Sequence, residues 1–146
     1  MAWKDENEPL YTAIGKFIFW FSQLEFTIKA SLASYLRLKD EQFNVVIGPY
    51  DFLMLCTVAE KTIKLDMDQK YHPALKSFFD KCKKLNQEAR LVVAHGSWTS
   101  AGARHVSRNT LEAKMHFEKP ETLLEAADKA RKLMAEFIQF GAVANS

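Results

Sequence analysis

Two side chains in the second half of the sequence are of types that can act together on a phosphodiester. Arg90 and His95 stand in the string NQEARLVVAHGSW, with four residues between them. A guanidinium binds a phosphate through two parallel N–H groups and stays charged at any working pH, whereas an imidazole exchanges a proton near neutrality. The pair therefore suits phosphodiester cleavage.

Whether these two side chains can reach the same cleft depends on the conformation of the backbone between them. Five positions along a regular helix place two side chains roughly 140° apart. A helix that ends at or between the two residues can instead bring both toward one cleft. Gly96 is predicted to be the residue just past this helix end, in the C′ position that glycine commonly takes.

The string around the pair resembles the motif of the HEPN superfamily, in which an Arg is followed a few residues later by a His. Arg90 matches that arginine and His95 that histidine, and the long aromatic segment FIFWFSQLEF also looks like HEPN-like bacterial proteins. The resemblance implies a helical bundle and a metal-independent endoribonuclease of the toxin or defence kind. It implies that His95 is the general base or acid, that Arg90 holds the phosphate, and that no cofactor is needed.

The same resemblance implies partners. The substrate would be RNA, whose 2′-hydroxyl attacks the neighbouring phosphate. The protein would be a homodimer with both motifs facing a shared cleft, and an antitoxin or other inhibitor protein would restrain it.

Three further residues are expected to support the pair. Glu25 interrupts an apolar stripe, so its carboxylate needs a cationic or hydrogen-bonding partner; Arg90 is one candidate, and a lysine at the rim or solvent is the alternative. Asn86, four residues before Arg90, could orient the guanidinium or be an ordinary exposed residue. Ser97 is the third, in the HGSW continuation.

A group of residues after the helix is predicted to bind RNA. Arg104, His105 and Arg108 could contact phosphates, and Trp98 offers a face on which a base could stack. The alternative for Trp98 is an aromatic of the core or of the dimer interface. The other histidines form no ligand spacing with His95, so no metal is expected.

Charge gives the phosphate chemistry moderate support. The net charge is +2, but residues 72–110 carry seven Lys or Arg against two acidic residues. Such a region is compatible with a phosphate-rich partner. A solvated lysine face on a helix is the alternative.

The bulk composition fits one intracellular domain. A chain of 146 residues with 48% hydrophobic residues can bury one core. Cys56 and Cys82 belong to no metal-ligand spacing and are expected to be buried, reduced thiols. The N-terminal segment MAWKDENEPL does not have the form of a secretory signal, and no apolar run spans a bilayer, so a cytoplasmic location is expected.

Hydrophobic periodicity predicts the elements that position these residues. A first helix is expected from about Glu8 to Leu38, and a second from about Tyr50 to Leu65 after a loop that includes Lys39 to Gln42. The expected stripe of the first helix is Tyr11, Ile14, Ile18, Phe21, Glu25, Ile28, Leu32 and Tyr35. The expected buried side of the second is Phe52, Leu55, Cys56, Ala59 and Ile63.

The second half of the chain is predicted to hold two more helices. The third opens near His72 and stops at Gly96, and the last runs from Glu121 to Phe140. Their expected apolar faces are Leu75, Phe78, Phe79, Cys82, Leu85, Ala89 and Val92 for the third, and Leu124, Ala127, Ala130, Met134, Phe137 and Ile138 for the last. Between them, residues 97–117 suggest a short β-hairpin with Gly102 at its tip.

The fold class that follows is all-α: an antiparallel four-helix bundle, or one of five helices, with a hairpin-like insertion before the last helix. Two other functions stay open. Leu91, which follows the arginine where active HEPN proteins often have a polar residue, favours a catalytically inactive HEPN-like bundle that binds a nucleotide, an RNA or a protein. A purely structural helical dimer would show no salt-dependent RNA binding.

Overall fold

Helices make up most of the fold, and a small sheet precedes the last one. The computed structural model describes residues 5–144, with side chains up to Gly141. The helices are α1 (Glu8–Tyr35), α2 (Asp40–Val46), α3 (Phe52–Asp66), α4 (His72–Leu85), α5 (Leu91–His95) and α6 (Pro120–Ala144). The strands are β1 (Ser97–Thr99), β2 (Gly102–Val106) and β3 (Ala113–His116). Residues 1–4, part of the segment used to predict that there is no secretory signal, lie outside the described residues.

Helix α1 begins at Glu8, as predicted, with Pro9 in a first turn where a missing N–H costs no hydrogen bond. Its buried side contacts both α6 and α3. The buried residues are Leu10, Ala13, Phe17, Phe21, Leu24, Ile28, Leu32 and Ala33. The predicted stripe is wrong at Tyr11 and Ile18, which are about half exposed. Apolar residues occupy most sides of this helix, so periodicity alone does not select the buried one.

The end of α1 is fixed by a reversal of the backbone at Arg37, whose φ is 54°. The Arg37 N–H donates to the Ser34 carbonyl at 3.1 Å, and the Leu38 N–H donates to the Ala33 carbonyl at 3.0 Å. These two bonds form a Schellman motif, which closes a helix. The helix therefore ends at Tyr35 and not at Leu38.

The short helix α2 lies where a loop was predicted. Its first turn is held by the Lys39 N–H, which donates to Gln42 Oε1 at 2.8 Å. None of its residues is buried, although Ile47 directly after it is fully buried. A helix without a buried face has no apolar periodicity from which it could be predicted.

Helices α3 and α4 bury the faces that the sequence predicts. Asp51 caps α3 by accepting a hydrogen bond from the Met54 N–H at 2.7 Å. The buried residues of α3 are Phe52, Leu55, Cys56, Ala59 and Ile63, and those of α4 are Leu75, Phe78, Phe79, Cys82 and Leu85. Both cysteines are free and buried, as expected, and burial raises the pKa of the Cys82 thiol.

Helix α6 begins at Pro120, one residue before the predicted start, and the predicted face is correct at Ala127, Ala130 and Phe137. Its buried residues are Leu123, Ala126, Ala127, Ala130, Leu133 and Phe137. Leu124 and Ile138, which were predicted to be buried, are exposed. Apolar residues stand at adjacent positions along this helix, so packing against α1 decides which stripe is buried.

The insertion before α6 is a three-stranded antiparallel sheet in the order β1-β2-β3. The predicted hairpin is its first part: β1 pairs with β2 around Ser100 and Ala101, and Gly102, with φ of 116°, opens β2 directly after this tip. The third strand was missed, since AKMH is only four residues long and both of its apolar residues, Ala113 and Met115, are exposed. Trp98 and Ala103 lie on the inner face of the sheet, toward the helices.

The helices contact one another in pairs: α1 with α3 and α6, and α4 with the same two helices. The prediction of a mainly helical fold with a small β-insertion before the last helix is confirmed, whereas the antiparallel four-helix bundle stays a prediction. In the described range, no helix combines the length and the apolar character that crossing a bilayer requires.

Phe78 is predicted to be a major source of stability, because its ring is fully buried and contacts those of Phe79 and Phe137 at centroid distances of 4.9 and 5.2 Å. Phe78→Ala should lower the free energy of unfolding by about 3–5 kcal/mol. Leu65→Ala, at a side chain that is 84% exposed, should lower it by no more than about 1 kcal/mol. Urea unfolding followed by circular dichroism compares the two, and equal losses would show that this aromatic cluster is not a core.

Candidate functional site

The helix that carries Arg90 and His95 extends from His72 to His95, close to the predicted limits, but it is not regular throughout. A π-turn covers Asn86–Arg90, and the Leu91 N–H donates to the Asn86 carbonyl five residues back. Such a turn contains one residue more than an α-helical turn and is frequent at functional sites. The regular helix resumes as α5 and continues to His95.

The helix ends after His95, and Gly96 plays a different part from the predicted one. Its backbone is extended, with φ of −70° and ψ of 153°, so it is not a left-handed C′ residue. Glycine is needed for a close approach, since a Cβ at this position would lie 2.5 Å from the Val92 carbonyl oxygen and 3.1 Å from Ala103 Cβ. Gly96 thus lets the helix pass directly into β1 beside β2.

Arg90 is half-buried and lines a cavity of about 210 Å³ between α1 and the end of the third predicted helix. The other residues that line the cavity are Phe17, Ile18, Phe21, Ser22, Glu25, Val93 and Ala94. Mostly apolar walls therefore enclose a guanidinium and a carboxylate. Low polarity around such groups strengthens the hold of the guanidinium on an anion that enters.

Glu25 shares the cavity with Arg90, but its ion pair is with Lys29, four residues along α1, at 3.8 Å. The structure thus shows a lysine partner, as the alternative had it. In the part of the chain that the structure describes, Arg90 has no carboxylate within 4.0 Å. Its guanidinium is therefore available to a ligand, with Glu25 nearby to favour its position in the cavity.

His95 is exposed and is not among the residues that line the Arg90 cavity. Helix α5 is regular between the two residues, so their side chains point roughly 140° apart. The helix end that was expected to turn both toward one cleft comes too late to do so. A single protomer therefore presents the guanidinium and the imidazole on different sides of the same helix.

The other two residues that were expected to support the pair are Asn86 and Ser97. Asn86 is 9% exposed, so it is not an ordinary surface residue, and within the described range its side chain makes no hydrogen bond to Arg90. The π-turn removes the helical i, i+4 alignment on which that bond was predicted. Ser97 is exposed at the start of β1, two residues beyond His95, and faces Arg104 across the strand pair.

Three of the four residues predicted to bind RNA lie on the two faces of the sheet, and the fourth follows β2. Trp98 is on the inner face, donates its indole N–H to the Val93 carbonyl at 3.2 Å and stacks on Phe117. It is therefore a core aromatic, as the alternative had it. His105 is on this same face, whereas Arg104 is exposed on the outer face and Arg108 is exposed after β2. Ser97 follows His95 by two residues and pairs with Arg104 across the sheet.

A histidine pair on the inner face was not singled out from the sequence. The rings of His105 and His116 lie 6.3 Å apart, because the two residues are diagonal neighbours on β2 and β3. Burial lowers the pKa of His116, and the nearby Lys114 and His105 lower it further. Only the pairing of β3, which the sequence did not predict, brings them together.

The basic region is less positive in three dimensions than along the sequence. Three of the α4 lysines are in ion pairs: Lys76 with Asp80 at 2.6 Å, Lys81 with Glu136 at 3.1 Å and Lys84 with Glu88 at 3.9 Å. The hydrogen bond from Lys76 holds the pKa of the Asp80 carboxyl below its usual value. Among the described residues of this region, the positive charges that have no acidic partner are therefore mainly those of the arginine side chains.

No protein-family model, curated protein or solved structure matches this chain. The resemblance to the HEPN superfamily therefore stays a prediction that rests on the residues. Among the described residues, no three His, Cys, Asp or Glu side chains form a group that could hold a metal ion.

Gly96 is predicted to tolerate no side chain. Gly96→Ala should lower the free energy of unfolding by about 1–3 kcal/mol, because its Cβ would overlap the Val92 carbonyl. Gly15→Ala is the matched control: nothing lies within 4 Å of that Cβ, and the helix should gain about 0.5–1 kcal/mol. Opposite shifts in the urea midpoint are expected, and a gain at both positions would contradict the close approach.

The histidine pair predicts a loss of stability in acid. The pKa of His116 is lower in the folded protein than its ordinary 6.5, so the unfolded chain binds more protons between the two values. Stability should therefore fall as the pH drops through about 6.5, and His116→Gln should reduce that fall. Urea unfolding at about pH 7.5 and pH 5 measures it, and an identical pH dependence in the variant would rule out His116 as its source.

Proposed function

We propose that this chain is a metal-independent endoribonuclease of the HEPN type. The observation that carries the proposal is the half-buried Arg90, which lines a cavity and, among the described residues, has no carboxylate within 4.0 Å. The exposed His95 lies at the other end of the short helix α5, which begins directly after Arg90. Arg90 would hold the phosphate next to the scissile bond and stabilise the charge that develops on its oxygens. His95 would take the proton of the attacking 2′-hydroxyl or protonate the leaving oxygen.

In this proposal the active site is shared by two copies of the chain. Since Arg90 and His95 point to different sides of one helix, the imidazole next to a given Arg90 would come from the second protomer. The exposed rings of Phe19 and Phe26, at 54% and 61% exposure, and the exposed Ile18 beside the cavity give α1 an apolar surface that a second copy could cover. The helices of each copy would form the antiparallel four-helix bundle.

The chemistry indicates the partners and the setting. The substrate would be RNA, because only RNA provides the 2′-hydroxyl that attacks the neighbouring phosphate. Ser97 and the exposed Arg104, beside His95, are placed to contact the RNA backbone. A cytoplasmic enzyme that cuts cellular RNA would need an inhibitor protein, as toxin or defence nucleases do.

A catalytically inactive HEPN-like bundle is the second candidate. Leu91, at the start of α5, gives no polar group beside Arg90, and one protomer does not bring the guanidinium and imidazole together. Such a protein would bind a nucleotide, an RNA or a protein through the Arg90 cavity without cutting it. RNA binding that weakens with salt but leaves the RNA intact would favour this candidate.

The endoribonuclease should cleave single-stranded RNA in the presence of EDTA and leave cyclic-phosphate ends. His95→Ala should reduce the rate by at least about 10²-fold, since it removes the proton-transfer group. Arg90→Lys should also be strongly impaired, because an ammonium cannot make the planar two-point contact with a phosphate. His72→Ala, at the far end of the same helical segment, is the matched control and should keep full activity. Equal cleavage by wild type and His95→Ala would remove the catalytic role of His95.

A mixing experiment tests whether the site is shared. Arg90→Ala and His95→Ala proteins, each inactive alone, should regain part of the activity when they are unfolded together and refolded. Each mixed dimer would contain one site with an intact Arg90 from one copy and an intact His95 from the other. Activity that does not return, although mixed dimers form, would place both groups in one protomer or in no common site.

A further inference from the structure

A second cavity lies far from Arg90, at the other end of the helices. It measures about 540 Å³ and is bordered by the last turns of α1, α3 and α6 and by Leu75 on α4. Small-ligand pockets in proteins have volumes of about 300–1,000 Å³. On α1 this cavity begins at Thr27, two residues after Glu25, and extends past the helix end to Arg37. On the helical segment that carries Arg90, its lining residue Leu75 is 15 residues, or about 22 Å, before Arg90.

The walls of this cavity are of two kinds. One wall is apolar and includes Ile63, Met67, Leu75, Phe137 and Phe140. The other wall is a row of hydroxyl groups on the last turns of α1, namely Ser31, Ser34 and Tyr35. Among the described residues these three hydroxyls make no hydrogen bond, so they can donate to a ligand. A ligand that fits has an apolar body and an acceptor-rich head.

Arg37 provides a charge at the polar wall. It occupies the left-handed position of the Schellman motif, with φ of 54°, where glycine is preferred because a side chain causes strain. Its side chain nevertheless lines the cavity, and no carboxylate of the described chain lies within 4.0 Å of it. Keeping arginine at a glycine position is reasonable if the guanidinium has a partner that is not part of the chain.

Asp66 narrows the choice of ligand, because its carboxylate lines the same cavity. A polyanion such as a nucleoside triphosphate would bring several negative charges near this acid and meet repulsion. A ligand with a single negative charge, held by Arg37 and the hydroxyl groups, avoids this repulsion. The cavity therefore favours a monoanion over a polyanion.

We propose that this cavity binds an amphipathic organic monoanion, with its acidic group on Arg37 and the α1 hydroxyls and its apolar body against Phe137 and Ile63. The site is independent of the proposed nuclease chemistry. It would give the protein a small-molecule binding function at the end of the domain opposite to Arg90.

The probe for this test is 8-anilinonaphthalene-1-sulfonate, an aromatic monoanion whose fluorescence rises in apolar surroundings. The natively folded protein should bind one equivalent. Arg37→Gly should weaken this binding about tenfold, which corresponds to the loss of one charge-assisted hydrogen bond. The same variant should raise the midpoint of thermal unfolding, because glycine relaxes the left-handed turn. A residue that acts only on the fold would not move affinity and stability in opposite directions.

Three further variants make the result specific. Arg37→Lys should keep most of the affinity, since it retains the charge, and Ser31→Phe should abolish binding by placing a ring in the cavity. Leu53→Ser, at an exposed position of α3 that lines neither cavity, should bind the probe as the wild type does. The proposal is overturned if Arg37→Gly and Ser31→Phe leave the affinity unchanged, if Leu53→Ser abolishes binding, or if the stoichiometry differs from one.

Discussion

Burial of one side of α1 is the constraint on which the other elements depend. This helix contacts both α3 and α6, and α4 packs on those same two helices. Each fully buried Phe or Leu of the stripe contributes about 1.5–3 kcal/mol through removal of apolar surface from water. Because both candidate cavities have α1 as a wall, the packing of this helix also determines their shapes.

The sequence predicted the buried sides of α3 and α4 correctly, since every residue named for them is buried. On α4 lysines mark the opposite side, whereas α3 also exposes the apolar residues Leu53, Met54 and Leu65. In α1 and α6 apolar residues stand next to one another, so Ile18 and Leu124 were assigned to the core although both are exposed. The choice between adjacent stripes is made by tertiary contacts, which a single helix does not reveal.

The candidate site was predictable in its chemistry but not in its geometry. Arginine and histidine types and their spacing could be read from the chain, and so could the need of Glu25 for a cation. The π-turn could not be predicted from the sequence, because a switch of hydrogen-bond register within a helix leaves the pattern of apolar residues almost unaltered. The turn sets the direction of Arg90 relative to α4, and the regular helix after it separates Arg90 from His95 by roughly 140°, so only the structure decides between one cleft and two sides of the helix.

The π-turn also separates two properties that are linked in an ordinary helix, its length and its rotational phase. With one extra residue accommodated between α4 and α5, the segment that follows is rotated by roughly a quarter of a turn relative to an uninterrupted helix. Loss of a single codon in this stretch would therefore convert the π-turn into an ordinary α-turn and leave both flanks of the segment in their present orientations. The turn thus lets the chain carry one additional residue next to Arg90 without a change in the faces that α4 and α5 pack against their neighbours.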